Sequence, residues 1–184
     1  MKNVLIVLSG PSGVGKGTIA KILIEKNSSL ALSISCTTRT PRNGEINGRE
    51  YFFISKEEFK DKIQNNGLLE YSEHFENYYG TPKDFVLNTL KEKDVILEID
   101  VNGGLKVKEN FPDAVLIMIA PPSIQELRNR LVGRNTETEE KINIRMQRIE
   151  YELGMKDKYD YVVVNDQLDD AVKTIEKIII NEKI

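Results

Sequence analysis

Between Gly10 and Thr18 the chain reads GPSGVGKGT. Gly10, Gly15 and Lys16 fit the phosphate-loop pattern G-x-x-x-x-G-K-[ST], in which backbone N–H groups surround an anion and the lysine adds a point charge. The eighth position departs from it. Gly17 stands where a hydroxyl is usual, and the hydroxyl comes one residue later, at Thr18. Thr18 falls in the first turn of the helix that should follow. It can therefore still face phosphates, directly or through a water on Mg²⁺, an ion that commonly keeps several waters when bound to phosphates.

A second group lies in SISCTTRTPRNGEINGREY. Arg39 and Arg42 are close in sequence, Pro41 restricts the backbone between them, and Tyr51 follows. Two guanidinium forks and a phenol suit a second phosphate. A solvated basic loop fits the same residues equally well when they are taken alone. The phosphate reading gains weight because a phosphoryl transferase must hold donor and acceptor in line. A third group is GRNTETEEKINIRMQR. Thr136 and Glu139 have capping-box spacing, and Arg145 and Arg148 share one helical face. By themselves these residues favour an exposed helix whose Glu137, Glu139 and Glu140 face Lys141 and the arginines.

These residues need a scaffold to hold them. NVLIVLS is a continuous run of leucine and β-branched residues, as expected of a strand buried on both faces of a parallel sheet. It precedes the glycine loop, and KGTIAKILIEKN follows with Ile19, Ile22 and Leu23 at helical spacing. This strand–loop–helix context is the one the phosphate-loop motif requires. Further buried strands are expected in DVILEID, AVLIMIA and DYVVVND. Helices are expected in SIQELRNRLVG, TETEEKINIRMQRIEYEL and LDDAVKTIEKIIINE. The alternation argues for an α/β fold with a parallel core and helices on both faces. From about residue 34 to 81 the composition shifts to Thr, Arg, Tyr, Gly and Asn, with short alternating pieces such as REYFFIS and LLEYSEHF. That segment reads as a small mixed-sheet lobe inserted into the core.

The 184 residues suffice for a single domain. A formal net charge of -3 argues against a nucleic-acid binder, so any basic site must be local. The single cysteine, Cys36, excludes an intrachain disulfide and a Cys-rich metal site. The apolar start MKNVLIVLSG is too short for a signal peptide or a membrane span, so a cytoplasmic protein without membrane association is expected.

In order along the chain, GPSGVGKGT, SCTTRTPRNGEINGREY, NYYGT, LEIDVNGG, APPS and GRNTETEEKINIRM resemble the guanylate kinases. The resemblance runs from about Val4 to Asn165. It departs from the family at GKGT, where GKST is common, and this bears on the direct Mg²⁺ contact. It implies a P-loop core of about 1–33, 82–125 and 151–184, a GMP-binding lobe of about 34–81 and a helical lid of about 126–150. It implies ATP-dependent phosphorylation of GMP to GDP in purine nucleotide metabolism, by in-line transfer with Mg²⁺. The ATP-binding positions become Gly10, Pro11, Ser12, Gly13, Val14, Gly15, Lys16, Gly17, Thr18, Arg134 and Asn165. Asn165 would contact adenine at an exposed sheet edge, and Thr18 is the candidate at the metal. The GMP positions become Ser35, Arg39, Arg42, Tyr51, Glu70, Tyr79, Thr81 and Asp100. Arg39, Arg42, Tyr51 and Tyr79 would hold the phosphate, and Glu70 and Asp100 would read the base. Lys16, Arg39, Arg134 and Arg145 would serve catalysis, with Arg134 and Arg145 in a lid that closes over ATP. Arg148 is left on the solvated surface, and Glu98 is given a supporting role near Mg²⁺. Use of dGMP stays open, as does the choice between monomer and homodimer.

No catalytic base is required. The attacking oxygen belongs to a phosphate monoester whose second pKa is about 6, so it is already anionic at neutral pH. His74 is therefore expected to be a partly exposed lobe residue, and Cys36 a small packed one. Two rivals remain at this stage. One is a nucleoside monophosphate kinase with another base preference. The other is a non-catalytic, peptide-binding module of the same fold, which an intact phosphate loop argues against.

Overall fold

The computed structural model describes residues 2–74, 76–132 and 139–183. Strand β1, Leu5–Ser9, is buried along its whole length and lies at the centre of a five-stranded parallel sheet. Its neighbours are β7, Asp94–Glu98, and β8, Val115–Ala120. The sheet is completed by β2, Leu30–Leu32, beside β7, and by β9, Tyr161–Val164, beside β8. All these pairings are parallel, so every β1-to-neighbour connection must cross over the sheet. The crossovers supply the helices that cover both faces.

The strand alternation sorts the core into two halves. Ile6, Leu8, Ile96, Ile117 and Ile119 point to one side, where α1, Lys16–Lys26, and α7, Leu168–Asn181, bury Ile19, Leu23, Val172 and Ile175 against them. Leu5, Val7, Val95, Leu97, Leu116 and Met118 point to the other. There they meet Val86 of α3, Lys83–Thr89, and Val101 and Val107 of α4, Val101–Asn110. One expected strand differs. In β9 only Val163 is buried, because the strand forms the sheet edge. Val162 and Val164 are 46% and 51% exposed.

A second sheet has four strands. Its strands are β3, Cys36–Thr37, β4, Phe52–Phe53, β5, Leu68–His74, and β6, Asn77–Pro82. It is mixed: β3 pairs parallel with β4 and antiparallel with β6, and β5 pairs antiparallel with β6. Its small core of Cys36, Phe59 and Leu68 includes Phe59 from α2, Lys56–Gln64. That helix opens on a complete capping box between Ser55 and Glu58. Two further helices are α5, Ile124–Val132, and α6, Glu139–Gly154. Leu127 of α5 and Ile149 of α6 pack together, with Met146 and Leu153 beside them.

Candidate active site

The phosphate loop follows β1 at the carboxyl edge of the sheet, where open α/β folds place their ligands. Its geometry depends on glycine. Gly10 has φ 142°, and a Cβ there would lie 2.2 Å from the Ile119 carbonyl oxygen. Gly15, at φ 102°, caps α1 without a side-chain hydrogen bond, and the first turn carries no acidic residue. The first N–H groups of α1 are thus left to an anion, and the helix dipole adds to their pull. Lys16 Nζ donates to the carbonyls of Gly10, at 2.6 Å, and Pro11, at 3.0 Å. Burial lowers the Lys16 pKa, while Glu98, Glu152 and Asp100 act in the opposite sense.

Gly17, the departure from the usual motif, has a local reason. A Cβ there would lie 3.3 Å from both carboxylate oxygens of Glu98. The absence of a side chain lets the β7 carboxylate lie directly on the first turn of α1. Thr18 is exposed on α1. Glu98, not Thr18, lines the cavity of about 450 Å³ over the loop, together with Lys16, Asp100, Arg145 and Arg148. Among the described residues no group of three or more His, Cys, Asp or Glu could cage a metal.

Asn165 is not at an exposed edge. It is 7% exposed, and its Nδ2 donates to the Val14 carbonyl at 2.8 Å. Its backbone N–H continues the β8–β9 ladder by bonding Ala120 O. The side-chain amide therefore braces the middle of the phosphate loop. The reason is chain geometry: β9 ends beside the loop, and the residue that follows it, Asn165, turns its side chain inward.

The residues expected on the acceptor side fall into two clusters. In the first, Arg39 makes a two-pronged contact with Glu45, with Nη1 3.0 Å from Oε2 and Nη2 2.9 Å from Oε1. Its guanidinium also lies over the rings of Tyr51 and Phe53, at 5.6 and 5.7 Å. Tyr79 stands edge-on to Tyr51 at 6.0 Å. Glu45 also accepts from the backbone N–H of Arg42 at 2.7 Å, while the Arg42 side chain is exposed. Hydrogen bonding to Glu45 raises the Arg39 pKa, and the same bond lowers that of Glu45. The carboxylate holds a planar fork in place, as an incoming phosphate would.

In the second cluster Glu70 and Thr81 are buried, and Thr81 Oγ1 donates to Glu70 Oε1 at 2.7 Å. Burial raises the Glu70 pKa to about 7. Asp100 caps α4, its Oδ1 accepting from the N–H of Gly103 at 2.7 Å. Gly103 gives the two carboxylates room. A Cβ there would lie 3.1 Å from Glu70 Oε2 and 3.3 Å from Asp100 Oδ1. The backbone of this turn is held by Ser9 Oγ on Asp100 O and by the Tyr159 hydroxyl on Val101 O. Ser35 is half-buried just before β3, and its carbonyl accepts from Phe52 N.

Arg148 is exposed, as expected, but it also reaches the site. Its side chain is 56% exposed, yet it lines the cavity over the phosphate loop and bonds Glu152 Oε1 through Nε at 3.0 Å. The helical face carrying Arg145 and Ile149 turns toward the loop and brings Arg148 with it. Arg145 lines the same cavity; Arg134 and Thr136 lie outside the described residues. Cys36 is fully buried, and burial pushes its thiol up to about 12, which leaves it packed and inert. His74 is half-buried at the end of β5, its ring 6.1 Å from that of Tyr79. Sequence reading missed Glu45 and Glu152. The first had a signal, an acid among closely spaced arginines. The second had none, since its burial depends on how α6 docks.

A parallel sheet, a glycine loop against an unblocked helix N-terminus, and a lysine inside that loop define the P-loop phosphotransferases as a class. A crystal structure of shikimate kinase from Bacteroides thetaiotaomicron shares this fold at a TM-score of 0.55 with 13% identity, covering 95% of this chain and 97% of its own. The guanylate kinase family model matches residues 2–182. A guanylate kinase of Caldanaerobacter subterraneus is 56% identical over 99% of this chain and 89% of its own length. One of Bacillus cereus is 52% identical over 98% and 89%. The crystal structure of guanylate kinase from Anaplasma phagocytophilum superposes with a TM-score of 0.77 at 33% identity, covering 100% of this chain and 87% of that one. The chain belongs to the guanylate kinase family.

Proposed function

We propose that this chain transfers the terminal phosphoryl group of ATP to GMP, giving ADP and GDP, with the residues divided as follows. The single observation that carries the reading is the arrangement around Asp100. This carboxylate lines the phosphate-loop cavity with Lys16 and shares the space at Gly103 with buried Glu70. A donor-phosphate site thus borders a pocket of two carboxylates and a hydroxyl.

On the donor side, residues 10–18 with Lys16 receive the ATP phosphates, and Asn165 keeps the loop in shape. Arg145, with Arg134 from the lid of about 126–150, brings further positive charge to the transferring group. Such charge acts where it develops in the transition state and costs no rearrangement if it is already in place. On the acceptor side, Arg39, Arg42, Tyr51 and Tyr79 hold the GMP phosphate, and Glu45 keeps Arg39 oriented until the phosphate arrives. Glu70 and Asp100 accept from the guanine N1–H and N2–H₂ donors, and Thr81 and Ser35 offer hydroxyls to O6 or N7. Adenine lacks these donors and would leave a buried carboxylate unpaired, a mismatch that can cost about 10⁴-fold in specificity. The acceptor oxygen is already anionic, so no side chain has to take a proton. The lobe of about 34–81 and the lid close toward the core when both nucleotides are present, excluding water that would hydrolyse ATP.

A divalent ion, Mg²⁺, fits the donor set. Glu98 presents its carboxylate beside the first turn of α1, with the Thr18 hydroxyl on the next residue of that turn. A single carboxylate plus phosphate oxygens and water is an ordinary Mg²⁺ environment. When bound, the ion neutralises charge on the donor phosphates. The proposed setting is the cytoplasm; no described helix is long and apolar enough to cross a membrane.

The test is ADP production from ATP and Mg²⁺ with GMP, AMP, CMP or UMP offered separately. Turnover with GMP is expected. Turnover with another nucleotide alone would refute the guanine assignment. Binding of GMP without turnover would point to a non-catalytic module.

A further inference from the structure

We propose that Arg148 is a positioning residue that ties the lid helix to Asp100, so that occupation of the ATP site strengthens GMP binding through it. The proposal rests on the assignment of Asp100 to guanine given above.

Arg148 is fixed at its base by the buried Glu152, one helical turn further along α6. Glu152 is 5% exposed, and a buried carboxylate needs a partner. Arg148 Nε supplies it at 3.0 Å. The outer prong then reaches across the cavity. Nη2 lies 3.7 Å from Asp100 Oδ2, the oxygen not engaged by the Gly103 N–H. At 3.7 Å this is an ion pair slightly too long for a hydrogen bond. A small advance of α6 would close it. A second contact reaches from the same helix to the same turn: the Tyr151 hydroxyl lies 3.4 Å from Asn102 Oδ1.

The oxygen that Arg148 approaches has more than one lone pair, so it can accept from the guanidinium and from guanine together. A guanidinium behind Asp100 keeps the carboxylate aimed. Arg145 and Ile149 bracket Arg148 on the face of α6 that lines the phosphate-loop cavity. Closure of that face over ATP phosphates therefore carries Arg148 toward Asp100. Coupling between two binding sites is reciprocal, so GMP should tighten ATP binding by the same factor.

The experiment measures GMP affinity by calorimetry, with and without a non-hydrolysable ATP analogue and Mg²⁺, in the wild type, Arg148→Ala and Arg148→Lys. In the wild type the analogue should tighten GMP about 5-fold or more, the lower end of ordinary site coupling. Arg148→Ala should bring this ratio close to unity; it also leaves buried Glu152 without its partner, so the melting temperature should fall, and a single cooperative unfolding transition well above the assay temperature reports an intact fold. Arg148→Lys should recover part of the ratio, because it keeps the charge and loses the fork. A role confined to α6 packing would alter stability and leave the ratio alone. A wild-type ratio of unity, or one that survives Arg148→Ala, overturns the proposal. A wild type that binds no GMP at all overturns the functional reading on which it rests, and the two failures are distinguishable.

Discussion

On the proposed assignment of Glu70 to guanine, acceptor binding should depend on pH in a range where most carboxylates no longer titrate. It is 8% exposed, and burial raises its pKa from an ordinary 4.5 to about 7, against the opposing hydrogen bond from Thr81. Guanine offers donors, so the ionised form is the one that binds. With a pKa of about 7, about a quarter of the protein carries that form at pH 6.5 and about nine-tenths at pH 8. GMP affinity should therefore rise about fourfold over that interval. The GMP phosphate, with a second pKa of about 6, changes its own ionisation only about 1.3-fold over the same range. Calorimetric titration of GMP at several pH values measures the slope. Glu70→Gln should flatten it and weaken GMP about 10- to 100-fold at pH 8, the range for losing a hydrogen bond to a charged group. The same shift has a stability signature of fixed sign. The folded protein binds a proton more tightly than the unfolded chain, so stability is lost as pH rises from 4.5 toward and through 7. The loss from this group reaches about 3 kcal/mol. Glu70→Gln should thus gain stability relative to wild type as pH rises to 8, in denaturant unfolding. A GMP affinity that is flat between pH 6.5 and 8, or a slope that persists in Glu70→Gln, would refute the reasoning.

Other perturbations have equally definite outcomes. Asn165→Asp replaces the donor to Val14 O with a second acceptor in a buried site. It should raise the KM for ATP about 10- to 100-fold with little change in the KM for GMP, since a buried unsatisfied or repelled carbonyl costs about 1–3 kcal/mol. Exchanging ATP for GTP checks the alternative: an equal loss with both donors indicates a loop brace rather than a base contact. Glu45→Gln should loosen Arg39 and raise the KM for GMP several-fold, read from steady-state kinetics, with the KM for ATP unchanged. Gly10→Ala forces a positive φ on alanine and places its Cβ on the Ile119 carbonyl. It should cost about 2 kcal/mol or more, measured by thermal or denaturant unfolding, because a clash with backbone cannot relax by a rotamer change. Gly17→Ser should be tolerated far better, since the neighbour it meets is the movable Glu98 side chain. A similar loss of stability in both variants would sink that distinction.

Much of the architecture was written in local pattern. The four apolar runs became β1, β7, β8 and β9; the first three lie in a sheet covered on both faces, where an apolar strand of that length has few other places to go, whereas β9 forms the edge with only Val163 buried. The phosphate loop was legible because it combines rare backbone demands with a fixed order. Helices α2 and α4 were not read from the sequence. The Ser55–Glu58 capping box was visible there, but the nine residues of α2 carry only one buried apolar side chain, Phe59, so no periodicity announced it. In α4 the pair Gly103–Gly104 has low helix propensity. They are tolerated because Asp100 caps the start and the glycines admit Glu70, Ser9 and Tyr159 at close range.

The sequence by itself determined a phosphate-loop pattern and closely spaced guanidinium forks, and its resemblance to the guanylate kinases picked out the carboxylates Glu70 and Asp100. Only the tertiary structure decided how those groups are spent. Glu45 holds Arg39, Asn165 bonds the loop rather than facing solvent, and Gly17 yields its space to Glu98. Arg148, left on the solvated surface when only Arg134 and Arg145 were assigned to the lid, turns toward Asp100. The physical reason is common to all four. Spacing along a chain fixes which residues share a face. What that face meets depends on contacts between segments dozens of residues apart, and no local pattern encodes those.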